Sequence, residues 1–435
     1  MAKKNFIAGV LDAFYRTDSD DLMVVGFVRG CVNAGTQALA INRGLDDESV
    51  YNISISGIQV NNEDVSKAEN VIAVLRISGI DQSNIRIGTV IYQGDYSLME
   101  IDGCYVSCLG DSYILNKKME LEDREEEKMS VGDCCEVLRL FNWHNSKIEN
   151  NLSPADKAIN SRTAENIKKL TAGKIIELKK IYVLFNKKTG EPHIYATVTK
   201  KGKGMMCSRP FILLITGQYL ERFKKHYEND DLEFTMIPND ENGTAIKNFL
   251  MTTFYLNGID QACVITNDMK IDAKMIVEEP DFSKVPKREK PVSNPDLVRW
   301  LLLMGQTGKP DTEQKQIEFN MYYQMMLKEL KNVKLLVPGK TMEKEPIKSE
   351  ENEITLEDGT TIGFPLSEGK NGRKAVNMFT DWKRLKIEYG AEWGGYIMKI
   401  SDIIDTHDCI INNTYFNAAA CYVSKEMYAQ ALKLR

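Results

Sequence analysis

The chain has 435 residues, 43% of them apolar, a formal net charge of −6 and nine cysteines. That length suggests two to four domains with real cores, and excludes a disordered chain. The longest apolar runs, FILLI from Phe211 and VRWLLLM from Val298, fall well short of the ~20 residues of a membrane span.

An odd number of scattered cysteines fits reduced thiols better than a disulfide framework. The opening MAKKNFIAGVLDAFYRTDSDD soon turns acidic and reads as no signal peptide, so the expected compartment is the cytoplasm. Charge is uneven along the chain. Residues 1–161 hold 15 Lys/Arg against 25 Asp/Glu, and residues 162–225 hold 15 against 4. A basic stretch of this kind is a solvated face or a site for an acidic partner or nucleic acid.

The first 95 residues read as β structure. Short β-branched runs (IAGVLDAFY, DLMVVGFVRGCVNAG, ISISGIQVN, VIAVLRISGI, IRIGTVIYQ) alternate with Gly, Asn and Asp clusters, a spacing that predicts a small closed barrel. Gly26, Gly30 and Gly35 fall where the chain must turn sharply or admit another backbone. The run Val24-Val25-Gly26-Phe27-Val28-Arg29-Gly30, with Val32 and Gly35, resembles the core of the elongation factor Tu domain 2 barrel. Ile55–Gln59, Ala68, Val74–Ile77, Gly79-Ile80, Ile85 and Gly88–Ile91 follow in the order of that barrel's later strands. Two departures stand out: the turn at Gly30 is one residue shorter, and Ala68-Glu69-Asn70 replaces the usual Ala-Gly-Asp. In translation GTPases such a barrel follows a nucleotide-binding domain. The nearest phosphate-loop look-alike here is GQTGKP, Gly305–Pro310, with its glycines too close and proline in the Ser/Thr place. It reads as a turn between helices, and no nucleoside triphosphate is expected.

Residues 96–152 form an acidic connecting region with the charge run MELEDREEEKM, Met119–Met129. Cys104, Cys108, Cys134 and Cys135 are poorly spaced for a tetrahedral ion, and no metal site is assigned. From Ser153 the pattern turns helical, with Ser153 as cap and Pro154 in the first turn.

Two later stretches then run in parallel. ELKKIYVLF (177–185) matches ELKNVKLLV (329–337). Lys188-Thr189 and Glu191-Pro192 match Lys340-Thr341 and Glu345-Pro346; ITGQYLERF (215–223) matches FTDWKRL (379–385). An apolar strand follows in each copy, EFTMIP at Glu233 and GGYIMKI at Gly394, and then CVITND at Cys263 and CIINNT at Cys409. Such ordered recurrence predicts two copies of one α/β unit, at 153–276 and 296–435, joined by the charged, proline-bearing linker 277–295.

The second copy, with LLVP (335–338), ITLEDGTTIGFPL (354–366), FTDW (379–382) and CIINN (409–413), resembles the SseB N-terminal domain family, the "enhanced serine sensitivity" proteins of bacteria. The first looks like a divergent duplicate. The family's usual Asn-Pro after the penultimate strand is Asn412-Asn413 here. The resemblance implies a fold and no reaction. The expected fold class is therefore α+β multidomain, an N-terminal small β-barrel followed by two related α/β-type units.

Chemistry-bearing residues are sparse. His144, His193, His226 and His407 lack metal or base spacing. Cys263 and Cys409 occupy matched strand positions, and His407 is two residues from Cys409; buried thiols explain them more simply than a nucleophile does. Binding candidates are Thr380, Asp381 and Trp382 of FTDW, and Lys200, Lys201 and Lys203 of the basic segment. Asp381 or Thr380 also suits a helix cap, and Trp382 suits packing on the sheet.

No catalytic residue, metal or cofactor is assigned. The expectation is a non-catalytic cytosolic bacterial protein-interaction or regulatory protein with an unknown protein partner and no membrane. The alternative is a translation- or RNA-associated accessory factor using the barrel and segment 162–225, with RNA or the ribosome as partner. A third reading, a thiol- or Cys–His-dependent enzyme, rests on Cys409.

Overall fold

In a computed structural model the protein is a mixed α+β chain with an N-terminal antiparallel barrel. The structure describes residues 4–15, 22–45, 49–115, 129–148, 153–202, 204–286, 290–341, 347–348, 354–355, 362–369, 372–390, 392–414 and 419–434. Most of the acidic run 119–129, Glu345-Pro346, part of the 354–366 stretch, part of the linker and Lys203 lie outside them. The chain divides into two compact units. One comprises Met1–Tyr182, Leu214–Arg222 and Cys263–Ile271; the other comprises Val183–Leu213, Phe223–Ala262 and Asp272–Arg435. Among the described residues no helix is long and apolar enough to cross a membrane.

The barrel is built from β1 (Lys4–Tyr15), β2 (Leu22–Asn33), β3 (Thr36–Ile41), β4 (Val50–Val60), β5 (Glu63–Val65), β6 (Lys67–Ser78) and β7 (Val90–Gly94). The order β3-β7-β1-β2-β6-β4 closes on itself through the pairing of β3 with β4, and β5 adds to β4. Alternation fills the interior: Phe6, Val24, Val28, Ile53, Ile55, Leu75 and Ile91 are all buried in one cluster. Gly30 (φ +85°) sits where the β2–β6 register slips, and a Cβ there would meet the Asn5 carbonyl at 2.4 Å. Gly26 lies against the Gly9 carbonyl, which a Cβ would meet at 2.8 Å.

Two helices follow, α1 (Leu98–Leu109) and α2 (Val131–Ile148), then the long α3 (Pro154–Glu177). Ser97 and Ser153 cap α1 and α3 with reciprocal bonds from Glu100 and Asp156. Cys104 and Cys108 lie on α1 beside Gly9 of the barrel wall. Helix α2 is tied to the barrel by a buried polar cluster. Asp133 pairs with Arg86, accepts from Tyr105 Oη at 2.6 Å and accepts the Ser130 amide at 2.8 Å. Ser130 Oγ donates to the Gly44 carbonyl at 2.6 Å, and Arg86 donates to the Arg43 carbonyl.

The next sheet uses β8 (Lys180–Asn186), β9 (Glu191–Pro192), β10 (Ile194–Tyr195), the separate hairpin β11 (Val198–Lys201) and β12 (Gly204–Cys207), β13 (Phe211–Ile215), then β14 (Leu232–Pro238), β15 (Gln261–Val264) and β16 (Lys270–Asp272). Its order is β14-β8-β13-β15-β16, with β9 on β8 and β10 on β13. Helix α4 (Leu220–Tyr227) follows β13, α5 (Ala245–Met251) follows β14, and the short α6 (Ala273–Ile276) follows β16.

Helices α7 (Pro295–Thr307) and α8 (Glu313–Leu330) lead into β17 (Lys334–Thr341). GQTGKP forms the end of α7, with Gly308 at φ +66°. A small ribbon pairs β18 (Ile347–Lys348) with β19 (Ile354–Thr355). Then come β20 (Ile362–Gly363), β21 (Leu366–Glu368), β22 (Lys374–Met378), α9 (Trp382–Glu388), β23 (Gly394–Lys399), β24 (Asp408–Ile411), β25 (Cys421–Val423) and α10 (Lys425–Lys433). These strands run β20-β17-β23 and β21-β22-β24-β25, bridged by Leu336 and Phe379.

The second order, β23-β17-β22-β24-β25 with β20 on β17 and β21 on β22, repeats the first strand for strand. Backbone detail repeats as well. Ile265 (φ +60°) donates its N–H to Leu214 O at 2.9 Å, and Asn412 (φ +49°) donates to Met378 O at 2.8 Å. That anchor aligns Ile265 with Asn412, so Cys263 matches Ile410 and Cys409 matches Ala262. The sequence pairing of Cys263 with Cys409 is therefore off by one residue. The left-handed residue after each strand, not the shared cysteine, sets the register.

Candidate functional site

The FTDW stretch ends β22 and opens α9. Asp381 is extended (φ −164°, ψ 165°), and its Oδ1 accepts the Arg384 amide at 2.9 Å, which caps the helix. Three residues along a helix returns to the same side, so the Arg384 guanidinium reaches back: Nη1 donates to Asp381 Oδ2 at 2.6 Å. Thr380 Oγ1 donates to the same oxygen at 2.7 Å, and the Thr380 amide donates to Asn412 Oδ1 at 2.9 Å.

The far edge of Arg384 faces the other repeat. Nη2 donates to Asn257 Oδ1 at 2.9 Å and to Glu191 Oε1 at 3.2 Å, and Asn257 Nδ2 donates to Glu191 Oε2 at 2.9 Å. Lys383 Nζ lies 3.6 Å from Glu191 Oε1. Two cations thus meet two carboxylates, with Arg384 and Asp381 each 1% exposed. The guanidinium fork spans an acceptor set on each side, a geometry lysine lacks.

Arg384, Lys383 and Glu191 also line a mainly apolar cleft of about 340 Å³ with Phe185, Pro192, Ile237, Phe249 and Ile387. Chemically the arrangement is a charge-balanced ion network, buried at Asp381 and Arg384 and exposed at Lys383. Its carboxylates are already engaged by Arg384 and Thr380.

Thr380 and Asp381 are therefore interior. Trp382 is half-buried; it packs against Leu336, Phe379 and Leu385, and its ring covers Gly395, where a Cβ would come within 2.6 Å. Lys200 is exposed on β11, opposite Met205, and Lys201 sits on the same strand opposite Gly204. Lys203 lies outside the described residues. Among the described residues no hydrogen bond or ion pair joins Lys200 to the FTDW network. Sequence reasoning missed Glu191, Asn257, Arg384 and Asn412. Arg384 carried a usable signal, being three residues after a capping acid. Glu191 entered only as a marker of the repeat.

Histidines and thiols sit apart. His193 stacks edge-on to Tyr195 at 4.7 Å, and burial pushes its imidazole down to about 4. The folded state therefore resists protonation that the unfolded chain accepts below about 6.5. Stability should fall between pH 6.5 and 4, by up to about 3 kcal/mol from this residue. Urea titrations of His193→Gln across that range should lose most of this slope. His407 precedes β24, with its Nδ1 3.0 Å from Thr406 Oγ1 and no hydrogen bond to Cys409.

Burial raises the Cys104 and Cys263 thiols to about 11, and those of Cys108 and Cys409 to about 12. At pH 8 a thiol-specific disulfide reagent should label the half-buried Cys31 and Cys421 quickly and these four only on unfolding. Rapid native labelling of Cys409 would contradict this and revive the thiol reading.

No family model and no curated protein matches the chain. Among solved structures it is similar to translation elongation factor SelB from Methanococcus maripaludis in its apo form. Identity is 19%, over 21% of this chain and 18% of that one, with a TM-score of 0.18. The chain thus spans about a fifth of that structure. A likeness that slight supports no statement about activity.

Proposed function

We propose that this is a non-catalytic bacterial cytosolic protein-interaction or regulatory protein of SseB-like type, carrying an elongation factor Tu domain 2-like barrel as a second contact module. The observation that carries the reading is the repeated strand order, β14-β8-β13-β15-β16 and β23-β17-β22-β24-β25. Arg384 of the FTDW helix joins one repeat to the other through Asn257 and Glu191. Duplicated sheets with engaged interior charges present surfaces, and function then lies in what those surfaces meet. On the barrel wall, Phe27 and Ile72 face each other across β2 and β6, 39% and 55% exposed, which suits a contact patch.

A second reading, an RNA-associated accessory factor, is favoured by the exposed Lys169, Lys179, Lys200 and Lys225 within segment 162–225. Affinity purification from the native host at low and high salt separates the two. A defined protein retained at high salt supports the interaction reading. RNA or ribosomal components that come down at low salt and wash off transfer the assignment to the second reading, since phosphate contacts weaken steeply with salt.

A further inference from the structure

The two repeats treat the same sheet edge differently. Strand β14 is the edge of the first sheet. Its Phe234 amide points outward and donates to Glu228 Oε1 at 2.9 Å. Two and four residues on, the outward positions are Met236 and Pro238, and the proline has no N–H to offer. That edge is largely closed.

Strand β23 is the matching edge of the second sheet. Leu336 exchanges both backbone bonds with Phe379 of the bridge to β22, so Leu335, Val337 and Gly339 face β23. Their partners in register are Met398, Tyr396 and Gly394. Gly395, Ile397 and Lys399 therefore turn their backbone groups away from the sheet. The Lys399 amide is taken by Asp402 Oδ2 at 2.9 Å. Among the described residues the outward groups of Gly395 and Ile397 have no hydrogen-bond partner. Gly395 adds no side chain to obstruct an approach, and Ile397 is 51% exposed.

Charge selects what can come. Lys334 and Lys399 are direct cross-strand partners, both exposed, and among the described residues no ion pair joins either ammonium to a carboxylate. Like charges directly opposite on a sheet face are destabilising unless something anionic sits between them. A second copy would bring another Lys399 to the same edge and is repelled.

We propose that β23 accepts an extended acidic segment of a partner protein as an added strand. The segment's backbone pairs with Gly395 and Ile397, a carboxylate opposite Lys399 reaches the Lys334–Lys399 pair from the outer side, and an apolar side chain packs on Ile397. This mode draws affinity from main-chain bonds and specificity from alternate side chains. The inference rests on the interaction reading above and gives that reading a surface and a partner chemistry.

The test uses the full chain and two capped hexapeptides labelled with a fluorophore, Glu-Thr-Val-Thr-Glu-Thr and Lys-Thr-Val-Thr-Lys-Thr, whose charged residues and valine share one strand face, in anisotropy titrations. The acidic peptide should bind saturably and the basic one should not. Ile397→Pro removes the outward N–H together with the exposed isoleucine side chain and should weaken binding at least about tenfold, the loss of at least roughly one hydrogen bond to a strand partner. Lys334→Glu with Lys399→Glu leaves the backbone intact and should reverse the preference toward the basic peptide.

Absence of saturable binding overturns the proposal, as does indifference of the acidic peptide to both variants. Self-association of the charge-swapped protein without peptide binding also overturns it and assigns the lysines to guarding the edge. Native-host purification with the charge-swapped chain keeps the two proposals apart. A partner retained equally by both proteins sinks the β23 site and leaves the interaction reading standing. Peptide binding with no protein partner from the host does the reverse.

Discussion

Replacing Arg384 with methionine lowers the unfolding free energy by about 3–5 kcal/mol, the range for breaking a buried ion pair from one side. Methionine fills similar volume, so the cost is chiefly electrostatic: Asp381 keeps its helix-capping bond to the residue 384 amide but loses the guanidinium, and Glu191 loses one of its two cations. Urea denaturation gives the value, with the shift expected in the midpoint and little change in slope. Glu191→Gln alone should cost less, because one of the two donors, Asn257 or Arg384, can still bond to the amide oxygen. The double variant should then cost clearly less than the sum, since the two side chains are in contact. Additive costs would show that the Arg384–Glu191 contact contributes nothing and that the network does not join the repeats. Lys383 cannot substitute: it is exposed at the rim and lies 3.6 Å from the same carboxylate.

The second large effect is in the barrel unit. Asp133→Ala should cost about 3–5 kcal/mol by the same rule, because it strands the buried Arg86 guanidinium. The same cluster can be broken without touching a charge. Gly44 has φ +85°, and a Cβ there would lie 2.6 Å from Tyr105 Oη and 2.7 Å from Asp133 Oδ1. Gly44→Ala must therefore displace both groups as well as strain the backbone. Backbone strain of this kind alone costs on the order of 1–3 kcal/mol. Hydrogen exchange should show the loss as faster amide exchange in α2, with the barrel strands β1, β2 and β6 least affected, because their core does not include the cluster. Unchanged protection in α2 with either variant would show that the helix holds to the barrel by apolar packing alone.

Much of the architecture was legible because it repeats at short range. Alternating apolar residues and Gly/Asn turns announced the barrel strands, and Ser153-Pro154 announced α3. The reading of GQTGKP as a turn between helices agrees with its place at the end of α7, ahead of α8. The order of matched stretches foreshadowed a strand order that recurs. Register was not legible at Cys263 and Cys409: a shared residue type does not mark a shared position, and the left-handed Ile265 and Asn412 shift the alignment by one residue.

The sequence by itself determined where chain segments extend, coil and turn, because those preferences are set within a few residues by side-chain shape and backbone freedom. Only the tertiary structure decided what the polar residues do. Asp381 and Arg384 stand three apart in sequence, but Glu191 and Asn257 reach them from residues 193 and 127 positions away. Asp133 and Arg86 meet from different elements in the same way. A charge is tolerated in an interior only when partners converge on it from several directions, and such convergence is a property of folded space that no local pattern encodes.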